Sequence, residues 1–515
     1  MSARASGRHL YHTDCPVSLG PVSAAAVTIP ERYNASLLLD RNLEAGRESK
    51  AAILCGDETV TYSELFARTC GVGAALRDLG IDRGERVLVV MDDCPWLPAA
   101  FFGAMRIGVV PVPVNPLLGP DDYPYFVEDS GARLAIVDRA CAEKVRSPKL
   151  LLVDDLEPSD EFAPVDTARD DVGFWLYSSG STGRPKGVVH LHRDLLYTCE
   201  TYARHVLGIT DADVTFSTTK LFHAYGLGNN LSFPYWAGAT TVLLGGRPTP
   251  DAIYSVVAQH RPTLFFSVPT LYNAMLASEE DSDFSSVRVC VSAAEPLPAE
   301  VWQRWHDTHG LVILDGIGST EMLHIYCSNT MDDVTPGSSG RPVPGYDVKL
   351  VDDTGTPADG AGTGDLYVRG DSMLREYWNQ PETTADCIHD GWFLSRDRYR
   401  RDAEDRYWYE GRADDMFKVS GLWVSPADVE ATLIEHPAVL EAAVVGAQVE
   451  GFMKAKAYVT AHDSNQTGPE LADELREFCA ARLHRYQVPQ LIEFVDSLPK
   501  TATGKFERYK LRVPG

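Results

Sequence analysis

A chain of 515 residues with 44% hydrophobic and 23% charged side chains has enough apolar mass for a large interior and exceeds what one simple core holds, so two or more domains are expected. A formal charge of -26 excludes nucleic acid and anionic membrane surfaces as main partners, since either would be repelled on average, and any phosphate ligand must be met by local donors. Ten cysteines without a CxxC pair read as reduced thiols of a cytoplasmic protein, not as a disulfide frame or zinc site.

The N-terminal run MSARASGRHLYHTDCPVS is polar and lacks the apolar core of a signal peptide. Helical spacing in SELFARTCGVGAALRDLG alternates with β-rich runs at 85–91, 109–114 and 132–138, a rhythm that predicts α/β layers. The most apolar stretch, 99–114, is interrupted by Arg106 and by prolines and glycines, so it does not span a bilayer.

The apolar strand VGFWLY leads into Tyr177-Ser178-Ser179-Gly180-Ser181-Thr182-Gly183-Arg184-Pro185-Lys186-Gly187. Glycines allow close backbone approach, while hydroxyls, backbone N–H groups and Lys186 offer donors to phosphate oxygens. Taken alone, such a run also serves as ordinary loop punctuation. It is not a Walker A loop, and Gly504-Lys505 is followed by Phe506, which disfavours kinase and P-loop ATPase readings.

A second βα rhythm covers 240–314, where ligands gather at strand ends. After Tyr407 the texture changes through GRADDMFK to VSPADVEATLIEH, LEAAVVGA, KAKAYVTA and PELADELREFCAARL. We place a hinge at 412–415, between an N-terminal core (1–411) and a small mobile C-terminal domain (416–515).

Further motifs stand in order: Ser292-Ala293-Ala294-Glu295-Pro296, Asp315-Gly316-Ile317-Gly318-Ser319-Thr320-Glu321, Gly391-Trp392-Phe393 leading to Asp397, Gly411-Arg412-Ala413-Asp414-Asp415, and Pro499-Lys500-Thr501-Ala502-Thr503-Gly504-Lys505. With the Ser/Gly loop, this series resembles the acyl-adenylate-forming superfamily of acyl-CoA synthetases, peptide-synthetase adenylation domains and luciferases, and the resemblance covers essentially the whole chain. It implies an α/β fold: a large N-terminal domain of layered sheets and helices with a small α+β C-terminal domain.

The resemblance also implies roles. Ser178, Ser179, Gly180, Ser181, Thr182, Gly183 and Lys186 would hold the ATP phosphates, Thr320 would bond the α-phosphate, and Glu321 would bind Mg²⁺, a hard cation suited to carboxylate and phosphate oxygens. Ala294, Glu295, Pro296, Gly316 and Ile317 would line the adenine, with Asp315 accepting from its amino group. Asp397 and Arg412 would meet the ribose hydroxyls. Lys505 would bridge the substrate carboxylate and the α-phosphate in adenylation. Rotation at Asp414 would then withdraw Lys505 and bring in Lys418, Ser420 and Gly421 for the thioester step with coenzyme A.

Within the superfamily, LFHAYGLGNNL (221–231) and DGIGSTEMLHIY (315–326) look most like benzoate-CoA ligases and related aryl-CoA ligases. Ala224, Tyr225, Ala293, Gly318, His324 and Ile325 would surround the acyl group, with small residues at 293 and 318 leaving a flat slot for a compact aryl acid. His223 resembles the gate residue on the carboxylate side; for either histidine, a hydrogen-bonded core residue is the plain alternative.

Two positions depart from the pattern. Ile317 stands where many relatives carry a tyrosine stacked on adenine, and Arg396 stands where the family has glycine, which would alter the local turn. The expected reaction is aryl-CoA formation with ATP, Mg²⁺ and coenzyme A. A stand-alone enzyme loading an acyl carrier protein is the alternative, and a homodimer is left open. The acidic surface modestly favours free coenzyme A over an acidic carrier.

Overall fold

Short runs of β-branched and aromatic residues closed by turn formers become strands, and the capped amphipathic runs between them become helices. The computed structural model describes residues 27–159, 162–178, 184–280, 282–412, 415–419, 422–449, 452–462, 467–500 and 508–511.

The helix Tyr62–Asp78 starts with a capping box: the Thr61 hydroxyl accepts from the Glu64 N–H at 3.2 Å, and the Glu64 carboxylate accepts from the Thr61 N–H at 2.7 Å. It packs on Trp96–Arg106 closely enough that a Cβ on Gly103 would lie 2.6 Å from the Thr69 carbonyl oxygen. That second helix holds the first part of the apolar stretch noted above, and the strand Val110–Pro113 lies in its second part. Among the described residues no helix is long and apolar enough to cross a membrane, and none of the nine described cysteines is in a disulfide.

Strands Val110–Pro113, Arg86–Val90, Leu134–Val137 and Leu150–Leu152 form a parallel sheet in that spatial order. A nine-stranded sheet has parallel strands in its middle, including Ile313–Gly318, Val289–Ser292, Leu264–Ser267, Val214–Ser217 and Thr240–Val242. Chain order reverses direction between Val214–Ser217 and Leu264–Ser267, creating the switch point where α/β sheets leave a crevice at their strand ends. The chain leading into the run 221–231, expected around the acyl group, leaves the sheet there, and the Thr218 N–H donates to the Phe266 carbonyl at 2.9 Å.

A smaller antiparallel sheet carries Val172–Ser178, Lys186–Leu191 and Glu376–Tyr377. Another contains Trp392–Arg401 paired with Tyr407–Arg412. Beyond these, Val439–Val449, Phe452–Ala461 and Leu491–Phe494 form a sheet that packs with helices Pro426–Ile434 and Pro469–Ala480 around their own apolar core, which includes Leu433, Val444, Val459 and Leu475. This is the large layered part with a small α+β part expected from the sequence.

Candidate active site

The Ser/Gly run joins two antiparallel strands whose facing ends are Ser178 and Lys186, direct cross-strand partners. Ser179, Gly180, Ser181, Thr182 and Gly183 lie outside the described residues. Strand alternation puts Lys186, Val188 and His190 on one face, and Tyr377 pairs opposite Val188. The Lys186 Nζ sits 5.4 Å from the centroid of the Tyr377 ring, and the Tyr377 hydroxyl donates to Glu321 Oε1 at 2.9 Å. Burial, with the Glu321 charge adding to it, pushes the Tyr377 phenol far above its ordinary range, so it remains a donor.

Thr320 and Glu321 begin the turn Thr320–Met322, which Ser319 caps by accepting from the Met322 N–H at 3.2 Å. Fully buried His190 reaches under this turn, its Nε2 2.8 Å from the Thr320 carbonyl oxygen and its Nδ1 2.8 Å from the Asp194 carboxylate. Facing a carbonyl, Nε2 must carry a proton. Sequence reading missed His190, Asp194 and Tyr377. The two-residue period of the strand is a signal that places His190 with Lys186; nothing local points to Tyr377.

Asp315 and Ile317 share a face of Ile313–Gly318. Asp315 is buried, and its Oδ1 has no hydrogen-bond partner among the described residues. Burial pushes its carboxyl well above the usual range. An orphaned buried acceptor suits an N–H donor such as an amino group on a purine. Ala294 takes a left-handed backbone, φ 74°, beside this strand end, with Ala294 and Pro296 exposed. The Glu295 carboxylate instead accepts from the Thr270 hydroxyl at 2.5 Å and its N–H at 3.2 Å, so this side chain braces the helix Pro269–Leu276.

Asp397 and Arg412 are cross-strand partners, with Oδ1 and Nη1 3.8 Å apart. Burial disfavours the Arg412 charge, but Asp397, Tyr409 and Glu321 outweigh it and raise the guanidinium above its ordinary value. The proposed ribose pair and the Glu321 carboxylate thus share one electrostatic field. Arg396 adopts φ 60°, a left-handed backbone that favours glycine, with arginine in place.

In the acyl region, His223 precedes the turn Ala224–Leu227 and is half-buried against Phe222, ring centroids 4.3 Å apart. Tyr225 stands 5.6 Å from the His324 ring, and its hydroxyl donates to the Val291 carbonyl at 3.3 Å. His324 is buried, with Nε2 3.1 Å from Asn229 Oδ1 and with Tyr202 and Phe233 rings around it. Burial pushes its pKa down to about 3, and the Tyr225 carbonyl lies near enough to oppose that shift. His324 is therefore neutral at physiological pH, and one of its nitrogens is already committed to Asn229. Ala224, Ala293 and Ile325 are all buried. At Gly318, a Cβ would meet the His324 carbonyl oxygen at 2.8 Å, so glycine is required by the tight hairpin itself.

Lys418 is exposed on Phe417–Val419. Asp414, Ser420, Gly421 and Lys505 lie outside the described residues. The described flanks of 501–507 are both held by ion pairs: Lys500 with Glu441, and Arg508 with Glu430 at 2.7 Å.

A family model described as AMP-binding enzyme matches residues 39–378, and one described as AMP-binding enzyme C-terminal domain matches 428–505. The chain is 46% identical over 512 residues to a benzoate--CoA ligase of Thauera aromatica, covering 95% of this chain and 97% of that one. Among solved structures, a benzoate CoA ligase from Burkholderia xenovorans LB400 is similar with TM-score 0.86 and 43% identity, over 93% of this chain and 100% of that one. An anthranilate CoA ligase in complex with anthranoyl-AMP gives TM-score 0.89 at 37% identity, over 94% and 97%.

Proposed function

The chain belongs to the AMP-binding enzyme family, and from that premise we propose that it uses ATP to join a benzoate-like aromatic carboxylic acid to coenzyme A. The observation that carries this reading is the 46% identity, spread over nearly the full length of both chains, to a benzoate--CoA ligase.

In the first half-reaction a carboxylate oxygen forms a bond to the α-phosphorus, the bond from that phosphorus to the β-phosphate bridging oxygen breaks, and pyrophosphate leaves. In the second, the coenzyme A thiol releases its proton to solvent as its sulfur bonds to the acyl carbon, the acyl–phosphate C–O bond breaks, and AMP leaves with the electron pair. Carboxylate and triphosphate repel each other at the start, so the protein's task is to supply oriented donors and cations. We assign the phosphates to Ser178 through Gly183 and Lys186, the α-phosphate to Thr320, the adenine to Asp315 with 294–296 and 316–317, and the ribose to Asp397 and Arg412. The orphaned Asp315 oxygen supports the adenine assignment. Lys505 is the cation for the reacting carboxylate and α-phosphate, on the strength of its motif.

Among the described residues no group of three or more His, Cys, Asp or Glu side chains is placed to hold a metal ion. A divalent ion at Glu321 would draw its other ligands from phosphate oxygens and water, the arrangement magnesium favours. When bound, it would neutralise charge on the phosphates; Glu321 is the carboxylate that would hold it. The aryl acid fits among Ala224, Tyr225, Ala293, Gly318, His324 and Ile325, with His223 on the carboxylate side. Rotation at Asp414 would exchange Lys505 for Lys418, Ser420 and Gly421.

Incubation with benzoate, ATP and coenzyme A, followed by mass spectrometry, tests the acceptor. Benzoyl-CoA and AMP in equal amounts are expected. Accumulation of benzoyl-AMP with coenzyme A unconsumed would transfer the assignment to carrier-protein loading.

A further inference from the structure

The turn that carries Glu321 is fastened along its backbone. His190 donates to the Thr320 carbonyl at 2.8 Å, the Leu374 N–H to the Glu321 carbonyl at 2.6 Å, and the Ser372 hydroxyl to the Met322 carbonyl at 2.9 Å. These bonds place the Cα of Glu321 but leave three side-chain torsions to be set. The group that sets them is Tyr377, 56 residues away, whose hydroxyl donates to Oε1 at 2.9 Å. Tyr377 is 5% exposed and is held by strand pairing opposite Val188 and by its own N–H donating to Thr384 Oγ1 at 3.0 Å.

The identity of this donor matters. Lys186 and Glu321 carry opposite charges and flank the same tyrosine, Lys186 against the ring and Glu321 at the hydroxyl, and no ion pair between them is formed. A direct Lys186–Glu321 salt bridge would neutralise both groups. A cationic donor in place of the phenol would likewise remove the negative charge that a cation needs. A buried phenol is neutral, fixes one carboxylate oxygen and leaves the carboxylate charge intact, while its ring keeps Lys186 apart.

We propose that Tyr377 is a positioning residue of the nucleotide site: its hydroxyl holds one oxygen of the Glu321 carboxylate so that the other is presented to a divalent cation carried by ATP, and its ring keeps Lys186 for the phosphates. The proposal rests on the reading of Glu321 as the magnesium carboxylate. Removal of an outer hydrogen-bond partner of a metal ligand typically weakens metal binding by about 10–100-fold.

The test is Mn²⁺ binding to the full-length protein with a non-hydrolysable ATP analogue, read by electron paramagnetic resonance, for wild type, Tyr377→Phe and Glu321→Gln. Phenylalanine keeps the ring beside Lys186 and removes only the hydroxyl. Tyr377→Phe is expected to weaken Mn²⁺ binding by about ten-fold and to raise the Mg²⁺ concentration needed for half-maximal pyrophosphate release by a similar factor. Thioester formation from supplied benzoyl-AMP, which involves no triphosphate, should be unchanged. Glu321→Gln should reduce Mn²⁺ binding to that of the nucleotide analogue alone. Wild-type Mn²⁺ binding by Tyr377→Phe, alongside its loss in Glu321→Gln, would overturn the positioning role and leave the carboxylate reading standing. Wild-type binding by Glu321→Gln would overturn both. Loss of thioester formation together with metal binding in Tyr377→Phe would mark a structural role and also overturn the proposal.

Discussion

Arg396 holds a left-handed backbone without being a glycine. At φ 60° its Cβ crowds the following carbonyl, which costs about 1–2 kcal/mol for any residue but glycine. Replacing arginine by alanine keeps that strain and removes the side chain, whereas glycine relieves it. Arg396→Gly should therefore be about 1 kcal/mol more stable than Arg396→Ala in urea unfolding; equal stabilities would mean the turn is not strained. His324 makes a second case. Its pKa falls from 6.5 to about 3 on folding, so between those values the unfolded chain binds more protons and stability declines as pH falls. His324→Leu removes this contribution. From pH 7 to 5.5 the variant should gain about 1 kcal/mol relative to wild type in paired urea melts. An unchanged difference would contradict the buried neutral imidazole.

The hairpin Ile313–Gly318 with Ile325–Ser328 carries adenine, α-phosphate, metal and acyl assignments on a single element. Its glycines are set by packing: a Cβ on Gly316 would lie 2.7 Å from the Cys327 carbonyl oxygen, and one on Gly318 2.8 Å from that of His324. Both obstacles are backbone and cannot swing aside, so Gly318→Ala should cost about 1–3 kcal/mol and weaken aryl-acid activation, measured by thermal melts and by KM. The strands themselves were legible in the sequence because alternation and turn residues are local properties, and the ordered motifs carried the nucleotide assignments. What escaped were contacts between distant elements. His190 follows Lys186 by two strand periods, yet its partner Thr320 lies 130 residues on, and Tyr377 meets Glu321 across 56. Gly318 was read as space for a ligand because the neighbouring strand that needs the same space is visible only in three dimensions.

Across the whole molecule, the small C-terminal unit has its own core, and the chain beyond Lys505 returns to it. Arg508 makes a two-pronged contact with buried Glu430, at 3.1 and 2.7 Å, and reaches Asp415, the last residue of the proposed hinge, at 3.5 Å. Removing one partner strands the other, so Arg508→Met should destabilise this unit by about 3 kcal/mol in denaturant unfolding. The central claim, however, concerns chemistry at the acyl site proposed among Ala224, Tyr225, His324 and Ile325. It is tested most directly by coenzyme A-dependent pyrophosphate release across a panel of carboxylic acids. Benzoate and its hydroxy or amino derivatives are expected to give the highest kcat/KM, with medium-chain fatty acids turned over at least an order of magnitude less well. Turnover confined to the fatty acids would contradict the account.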